Sequence, residues 1–262
     1  MKRFSLFLLL AFAAPVPAQT ALTDDSWCTE DDSNYATERA CEVRTFTLAA
    51  RRTLSVDAGK NGGIRVEAWD RDEVQVLARV QAVGDDRDEV RRLVAASEVE
   101  TDGTIRSRVP RSGRDAWVSV SFRLRVPRAS NLDLEAKNGG IRIAGVRGAI
   151  RFDTQNGGVT LDALGGDVRG RTTNGGLRVR LTGTRWDGDG LDARTTNGGV
   201  ELIVPDGYSA DLETGTVNGR MRLGFPVLVE GEVGRRVRTT LGDGGPPVRA
   251  VTTNGGVRIE RG

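Results

Sequence analysis

Five arginines occupy equivalent positions in a motif that recurs along the chain. Each stands four residues after the asparagine of an Asn-Gly-Gly or Asn-Gly-Arg turn, between two apolar residues, and the five are Arg65, Arg142, Arg178, Arg222 and Arg258. A guanidinium group presents a planar fork of donors that matches carboxylate and phosphate groups. If the turns stack, these side chains form a ladder with a step of roughly 4.8 Å. The pattern therefore predicts a surface that binds an anionic glycan.

Two copies of the motif interrupt this ladder, because Thr160 and Glu201 stand where the other copies have arginine. An alternative interpretation is that outward strand positions are simply charged and solvated, in a chain whose basic residues are almost all arginine. On the strands that precede the asparagines, arginines alternate with carboxylates. That alternation predicts exposed ion pairs between neighbouring turns, each of which contributes little stability.

Catalytic chemistry is restricted by the absence of histidine from the chain. Without histidine there is no Ser-His-Asp or Cys-His catalytic group, and the common zinc ligand sets are also excluded. Glycan cleavage by a pair of carboxylates stays open, because two Asp or Glu residues suffice for it. The segment Asp187-Gly-Asp-Gly-Leu-Asp192 carries carboxylates but lacks a complete calcium-binding pattern, so an ordinary loop insertion explains it better. We predict no catalytic residue, no metal site and no cofactor.

An asparagine stands at the same position in each of the turns that would position these side chains. The asparagines are Asn61, Asn138, Asn156, Asn174, Asn197, Asn218 and Asn254. In every copy the third and fifth residues after the asparagine are apolar, and a second alternating strand precedes it. Asparagine and glycine supply the unusual backbone angles of tight corners. The pattern predicts stacked repeats of 18 to 23 residues with two short strands each.

Two folds compete for this pattern. Asn-Gly is a strong signal for a two-residue hairpin, which would build an antiparallel meander. Against this, a threonine two residues before the asparagine recurs at positions 154, 172, 195, 216 and 252, and identical residues at identical phase are typical of a solenoid. We predict an all-β, β-helix-like solenoid. One short helix is expected in its N-terminal part, where Asp86 and Glu89 form a capping box ahead of Val90, Leu93 and Val94.

The ends of the chain indicate export. Residues 1–18 have the layout of a secretory signal peptide, with a basic start, an apolar stretch and a small-residue exit. We expect residues 19–44 to be pinned by a disulfide between Cys28 and Cys41, because an oxidising compartment favours that bond. A β-strand-repeat domain follows over 45–262, irregular over 45–127 and regular over 128–262. No later segment is apolar enough to span a membrane, so we expect a periplasmic or secreted protein.

A family resemblance rests on three features. They are the run Gly63-Ile-Arg-Val-Glu-Ala-Trp-Asp-Arg-Asp-Glu-Val-Gln-Val, the long alternating strand that ends at Val126-Pro127, and the repeated Asn-Gly-Gly-Val/Ile. Over about residues 45–260 the chain resembles the putative adhesin, or DUF4097-type, family of exported bacterial β-strand-repeat proteins, which is related to GIN head domains. The resemblance implies a β-helical exported protein without an established catalytic site, and it is uninformative about the ligand.

The charge balance argues against nucleic acid as a partner. Without the two basic residues of segment 1–18, the formal net charge of +2 falls to zero, so no general attraction to a polyphosphate is expected. We expect a non-enzymatic envelope protein whose arginine-bearing face recognises envelope polysaccharide or another envelope protein. Two alternatives stay open: a carbohydrate-active enzyme that uses carboxylates on a β-helix, and an envelope scaffold that self-associates through its terminal coils.

Overall fold

The computed structural model describes residues 26–29, 38–224 and 235–262. The predicted signal peptide, residues 1–18, lies outside these ranges. Twenty strands and two helices occupy the described residues. In chain order they are α1 (Ser26–Thr29), β1 (Glu38–Ala49), β2 (Thr53–Asp57), β3 (Ile64–Trp69), β4 (Glu73–Gly84), α2 (Arg87–Ala95), β5 (Glu98–Glu100), β6 (Ile105–Arg108), β7 (Ala116–Pro127), β8 (Asn131–Asn138), β9 (Ile141–Ala144), β10 (Arg147–Asn156), β11 (Val159–Asp162), β12 (Gly165–Asn174), β13 (Leu177–Arg180), β14 (Gly190–Asn197), β15 (Val200–Val204), β16 (Ala210–Asn218), β17 (Met221–Leu223), β18 (Arg236–Leu241), β19 (Pro247–Asn254) and β20 (Val257–Arg261).

These strands form two ten-stranded sheets on either side of one core. Sheet A has the order β1-β4-β7-β3-β9-β11-β13-β15-β20-β17, and sheet B has the order β18-β16-β19-β14-β12-β10-β8-β2-β6-β5. Through the repeats, neighbouring strands are parallel and in register, as where Val159 pairs with both Ile141 and Leu177. Each coil contributes one strand to each sheet. The fold is therefore the predicted all-β solenoid, and the hairpin meander does not form.

The core consists of layers that each coil fills in the same way. In one coil, Ile150 and Phe152 point inward from β10, while Val159 and Leu161 point inward from β11, and each is at most 3% exposed. Burying side chains of this size contributes roughly 1.5–3 kcal/mol each. A single coil has an apolar layer open on both sides, so its stability depends on the coils that flank it.

A segment of four strands and one helix lies between the first coil and the second in the sequence. The first coil is β2–β3, and it stacks directly on β8–β9. The residues between them form β4 to β7 and α2, and β4 pairs antiparallel with both β1 and β7. The predicted helix is confirmed as α2: the Asp86 side chain accepts hydrogen bonds from the backbone of Asp88 and Glu89, and Val90, Leu93 and Val94 are buried. The Glu89 carboxylate accepts a hydrogen bond from the backbone of Gly113 at 3.2 Å, so only half of the expected capping box is present.

The C-terminal coils do not stack in chain order. Strand β19 pairs with both β14 and β16, and β20 pairs with both β15 and β17. The final coil therefore lies between two coils that precede it in the sequence. Strand β18 then pairs antiparallel with the outer side of β16.

The predicted disulfide joins Cys28 of α1 to Cys41 of β1, with Cα atoms 5.9 Å apart. It holds Trp27, which is 6% exposed, against two guanidinium groups. The Arg123 and Arg79 groups lie 4.0 and 5.1 Å from the Trp27 ring centroid, and Arg79 also donates to the Trp27 carbonyl at 3.1 Å. Neither helix of the described ranges is long and apolar enough to cross a membrane.

Candidate functional site

The asparagine side chains form a continuous hydrogen-bonded ladder along one corner of the solenoid. The Asn174 Nδ2 donates to the Asn156 Oδ1 at 2.7 Å, and the Asn197 Nδ2 donates to the Asn174 Oδ1 at 2.8 Å. The same contact joins each neighbouring pair in the spatial order Asn61, Asn138, Asn156, Asn174, Asn197, Asn254, Asn218. The ladder holds equivalent residues of successive coils in register, including the residue four positions after each asparagine.

The recurring threonine supports the same corner from inside. The Thr172 hydroxyl is buried and donates to the Gly157 carbonyl at 2.8 Å, and Thr195 donates to the Gly175 carbonyl at 2.7 Å. Thr154 and Thr252 make the same bond to Gly139 and Gly198. A buried hydroxyl would be costly without a partner, so each threonine is satisfied by the coil on which it stacks.

The structure places the five predicted arginines on the outer face of sheet A, at the equivalent position of successive coils. Direct strand pairing puts them, with Thr160 and Glu201, in the spatial order Arg65, Arg142, Thr160, Arg178, Glu201, Arg258, Arg222. We call these seven residues the arginine row. Arg258 lies beside Glu201, and Arg222 is at the end, because the final coil is inserted before the coil of β16–β17.

Charge in the arginine row is compensated in the middle and not at the ends. Arg178 binds Glu201 through two nitrogens, with Nη2 2.7 Å and Nε 2.9 Å from Oε2. Arg258 has a longer contact of 3.4 Å with Glu260 on its own strand. Among the described residues, Arg65, Arg142 and Arg222 make no ion pair. Their guanidinium groups are exposed and available to an anion from solution.

A groove of about 720 Å³ runs along the arginine row from β9 to β17. Its floor includes the second glycine of four Asn-Gly-Gly turns, Gly158, Gly176, Gly199 and Gly256. Its charged lining comprises six arginines, Arg142, Arg178, Arg180, Arg220, Arg222 and Arg258, and two carboxylates, Asp162 and Glu201. Six positive charges against two negative ones leave the groove strongly basic.

Sequence reasoning missed two of these arginines. Arg220 occupies the second glycine position of the Asn218 turn, and Arg180 stands six residues after Asn174. Arg180 lies 3.9 Å from Asp162 on the neighbouring strand. Arg220 was visible in the sequence as the one departure from Asn-Gly-Gly, but only the fold shows that it faces this groove.

On the outer face of sheet B, positive and negative charges are balanced. A groove of about 460 Å³ there is lined by four arginines, Arg151, Arg169, Arg171 and Arg194, and by four carboxylates, Asp133, Glu135, Asp153 and Asp192. The ion pairs expected on this face are present, some between coils, as in Arg171–Asp153 at 2.8 Å, and some within a strand, as in Arg194–Asp192 at 2.6 Å. A hydrogen bond from Arg194, reinforced by the charges of Arg194 and Arg249, lowers the pKa of Asp192.

Beside Arg65, the N-terminal helix α1 covers the arginine that would otherwise extend the arginine row. Arg123 of β7 pairs with Arg65 and so extends the row by one strand, but Trp27 lies over its guanidinium group. The disulfide therefore places an aromatic ring at the N-terminal limit of the exposed arginines. Within the described ranges, no group of three or more His, Cys, Asp or Glu residues is arranged to hold a metal ion.

Residues 94–260 match the protein family described as Toastrack DUF4097. The chain belongs to this family. The Toastrack match begins inside α2 and ends inside β20, so it includes all of the regular coils and the whole groove on sheet A. The family resemblance read from the sequence is thereby confirmed.

The Toastrack chain is also similar to solved structures at low identity. One is a putative cell adhesion protein from Clostridium sporogenes ATCC 15579, 9% identical over 85% of this chain and 100% of that one, with a TM-score of 0.46. Another is a putative adhesin from Bacteroides fragilis NCTC 9343, 12% identical over 86% and 99%, with a TM-score of 0.29. A third is a putative lipid binding protein from Parabacteroides distasonis ATCC 8503, 9% identical over 84% and 96%, with a TM-score of 0.27. No curated protein matches the chain.

Proposed function

We propose that this Toastrack protein is an exported, non-enzymatic binding protein of the cell envelope, and that the groove on sheet A binds an anionic glycan. The observation that carries the proposal is the difference between the two faces. Six arginines meet two carboxylates in the groove on sheet A, whereas the groove on sheet B has four of each. Both faces are built by the same repeats, so the basic character of one face does not follow from composition.

The shape of the groove favours a linear ligand. It crosses successive parallel strands, so it follows the stacking direction and offers equivalent backbone positions at intervals of roughly 4.8 Å. Arginine forks suit the carboxylate and phosphate groups of such a chain. A single exposed ionic contact contributes little, and a polymer that meets several arginines at once adds these small contributions. The Cys28–Cys41 disulfide fits a protein exported to an oxidising compartment.

The charged contacts support binding over hydrolysis. A glycosidase needs one carboxyl group with a raised pKa to act as general acid. In the groove on sheet B, Arg194 lowers the pKa of Asp192. In the groove on sheet A, Glu201 is held by two nitrogens of Arg178. These carboxylates hold arginines in place, which is a role that a binding surface needs.

The test compares two variants of residues 19–262 that lose the same charge. Arg142→Ser, Arg222→Ser and Arg258→Ser together remove three of the six arginines in the groove on sheet A. The matched control, Arg151→Ser, Arg169→Ser and Arg171→Ser, removes three of the four in the groove on sheet B. The ligands are polygalacturonate, isolated envelope polysaccharide and neutral dextran, followed by calorimetry. We expect the anionic glycans to bind the unaltered protein and the control alike. Removing three exposed contacts in the groove should weaken binding roughly 10- to 100-fold. Equal loss in both variants, or no binding to the anionic glycans, would overturn the proposal.

A further inference from the structure

The uncompensated charge of the arginine row is concentrated at its two ends. At one end, Arg65 and Arg142 lie directly opposite each other on β3 and β9. At the other end, Arg258 and Arg222 lie directly opposite each other on β20 and β17, and Arg220 lines the groove with them. We call Arg65 and Arg142 the first pole, and Arg220, Arg222 and Arg258 the second pole.

The stretch between the poles carries no net charge. Thr160 is neutral, Arg178 is neutralised by Glu201, and Arg180 faces Asp162 at 3.9 Å. Arg258 is 3.4 Å from Glu260, so its charge is offset as well, and the second pole keeps the charges of Arg220 and Arg222, which make no ion pair among the described residues. The groove therefore has Arg142 of the first pole at one end and the second pole at the other, separated by a polar, neutral middle, and Arg65 lies one strand beyond it.

The distance between the poles follows from the sheet order. Four strand steps separate Arg142 on β9 from Arg258 on β20, and at roughly 4.8 Å per step the span is about 19 Å. The asparagine ladder and the in-register pairing of each intervening strand hold this span constant. A rigid spacing of this kind requires little ordering when a ligand binds.

We infer that the groove binds one anionic glycan at both poles at once, and that it selects chains long enough to span them. The inference rests on the proposed function and adds a length requirement to it. Once one end of a chain is bound at the first pole, its binding at the second pole becomes intramolecular. The effective concentration for the second contact then depends on whether the bound chain extends as far as the second pole. This concentration is near zero for a chain that is too short. Affinity should therefore rise steeply at the length that spans both poles.

The experiment uses oligogalacturonates from the dimer to the octamer with residues 19–262. One variant removes the first pole (Arg65→Ser, Arg142→Ser), a second weakens the other pole (Arg222→Ser, Arg258→Ser), and a control removes two arginines from sheet B (Arg151→Ser, Arg169→Ser). For oligomers whose extended length exceeds the span, each pole variant should lose on the order of 100-fold in affinity. Shorter oligomers contact one pole at a time and still bind the intact pole, so their affinity should fall about twofold in each pole variant. The control should match the unaltered protein at every length.

Two results would overturn this inference, and they are distinguishable. In the first result, affinity grows evenly with each added sugar, and both pole variants lose the same fraction of it at all lengths. This result would overturn the two-pole arrangement and leave the proposed function standing. An absence of binding at any length would overturn the proposed function and the inference together. Circular dichroism of each variant checks that the exposed substitutions leave the fold intact.

Discussion

At the scale of the residue, the asparagine carboxamide explains why one residue type recurs at the corner. Its Nδ2 donates to the next coil in one direction and its Oδ1 accepts from the coil in the other direction, as Asn174 does between Asn156 and Asn197. A carboxylate lacks the donor, so aspartate could not continue the ladder. Asn218, at the end of the ladder, donates to Asn254 at 2.8 Å, and it accepts no ladder bond within the described part of the chain.

This difference predicts unequal costs for the same substitution. Asn174→Ala removes two side-chain hydrogen bonds and should lower the free energy of unfolding by about 2 kcal/mol. Asn218→Ala removes one, so about 1 kcal/mol is expected. Both side chains are exposed, which makes them a matched pair for urea denaturation. Equal costs, or no cost at Asn174, would show that water replaces these bonds and that the ladder contributes nothing.

At the scale of the element, the two glycines of the Asn174 turn have different tasks. A Cβ atom on Gly175 would lie 2.1 Å from the Gly157 carbonyl oxygen of the neighbouring coil, whereas a Cβ on Gly176 would lie 3.7 Å from its nearest neighbour, the Gly199 oxygen. The first glycine is required because two backbones touch. The second leaves room for a side chain, which is why Arg220 is accommodated in the Asn-Gly-Arg turn.

A pair of alanine substitutions separates these tasks. Gly175→Ala should destabilise the protein by about 3 kcal/mol, because the clash is with backbone atoms that cannot move without breaking strand pairing. Gly176→Ala should change stability by less than about 0.5 kcal/mol. Thermal or urea unfolding of both variants measures the difference. Similar stabilities would mean that the coils can separate at the corner without loss.

At the scale of the whole molecule, the parallel stack is interrupted at its ends. Antiparallel pairing occurs at β1–β4 and β4–β7 in sheet A, and at β5–β6 and β16–β18 in sheet B. Repeat proteins need end units unlike their internal repeats, because an open terminal coil would offer its apolar layer and strand edge to another molecule. The final coil, β19–β20, has the opposite environment, because it is flanked by coils on both sides.

That placement predicts the outcome of truncation. Removing residues 246–262 would take an internal layer out of the solenoid, including Val248, Val257 and Ile259, which are at most 2% exposed. Strands β16 and β17 would lose their parallel partners, so we expect residues 210–224 to lose protection in amide hydrogen exchange and to become susceptible to proteolysis. If residues 210–224 stayed protected in the truncated protein, the final coil would lie at the end of the stack and the order found here would be wrong.

Much of the fold was predictable because its cause is local. The alternation around Ile141, Val159 and Leu177 locks apolar residues to the turn, so each coil repeats the same inward face. The capping residue Asp86 and the spacing of Val90 and Leu93 specified α2. Helix α1 was missed, because four residues carry too little periodicity for a prediction. The segment boundaries at residues 44 and 127 stay predictions.

By itself, the sequence determined the coil: its length, its inward residues, the asparagine corner and the position of the arginine in each copy. Only the tertiary structure decided which coils are neighbours and which charges meet. The exposed edges of similar coils present the same backbone groups, so nothing local specifies that the Asn254 coil enters before the Asn218 coil. That order sets Arg258 beside Glu201 and leaves Arg222 at the end. Stacking in chain order would also place Arg222 and Arg258 together at this end, so long-range packing decides which of the two lies next to Glu201 and not whether the second pole forms.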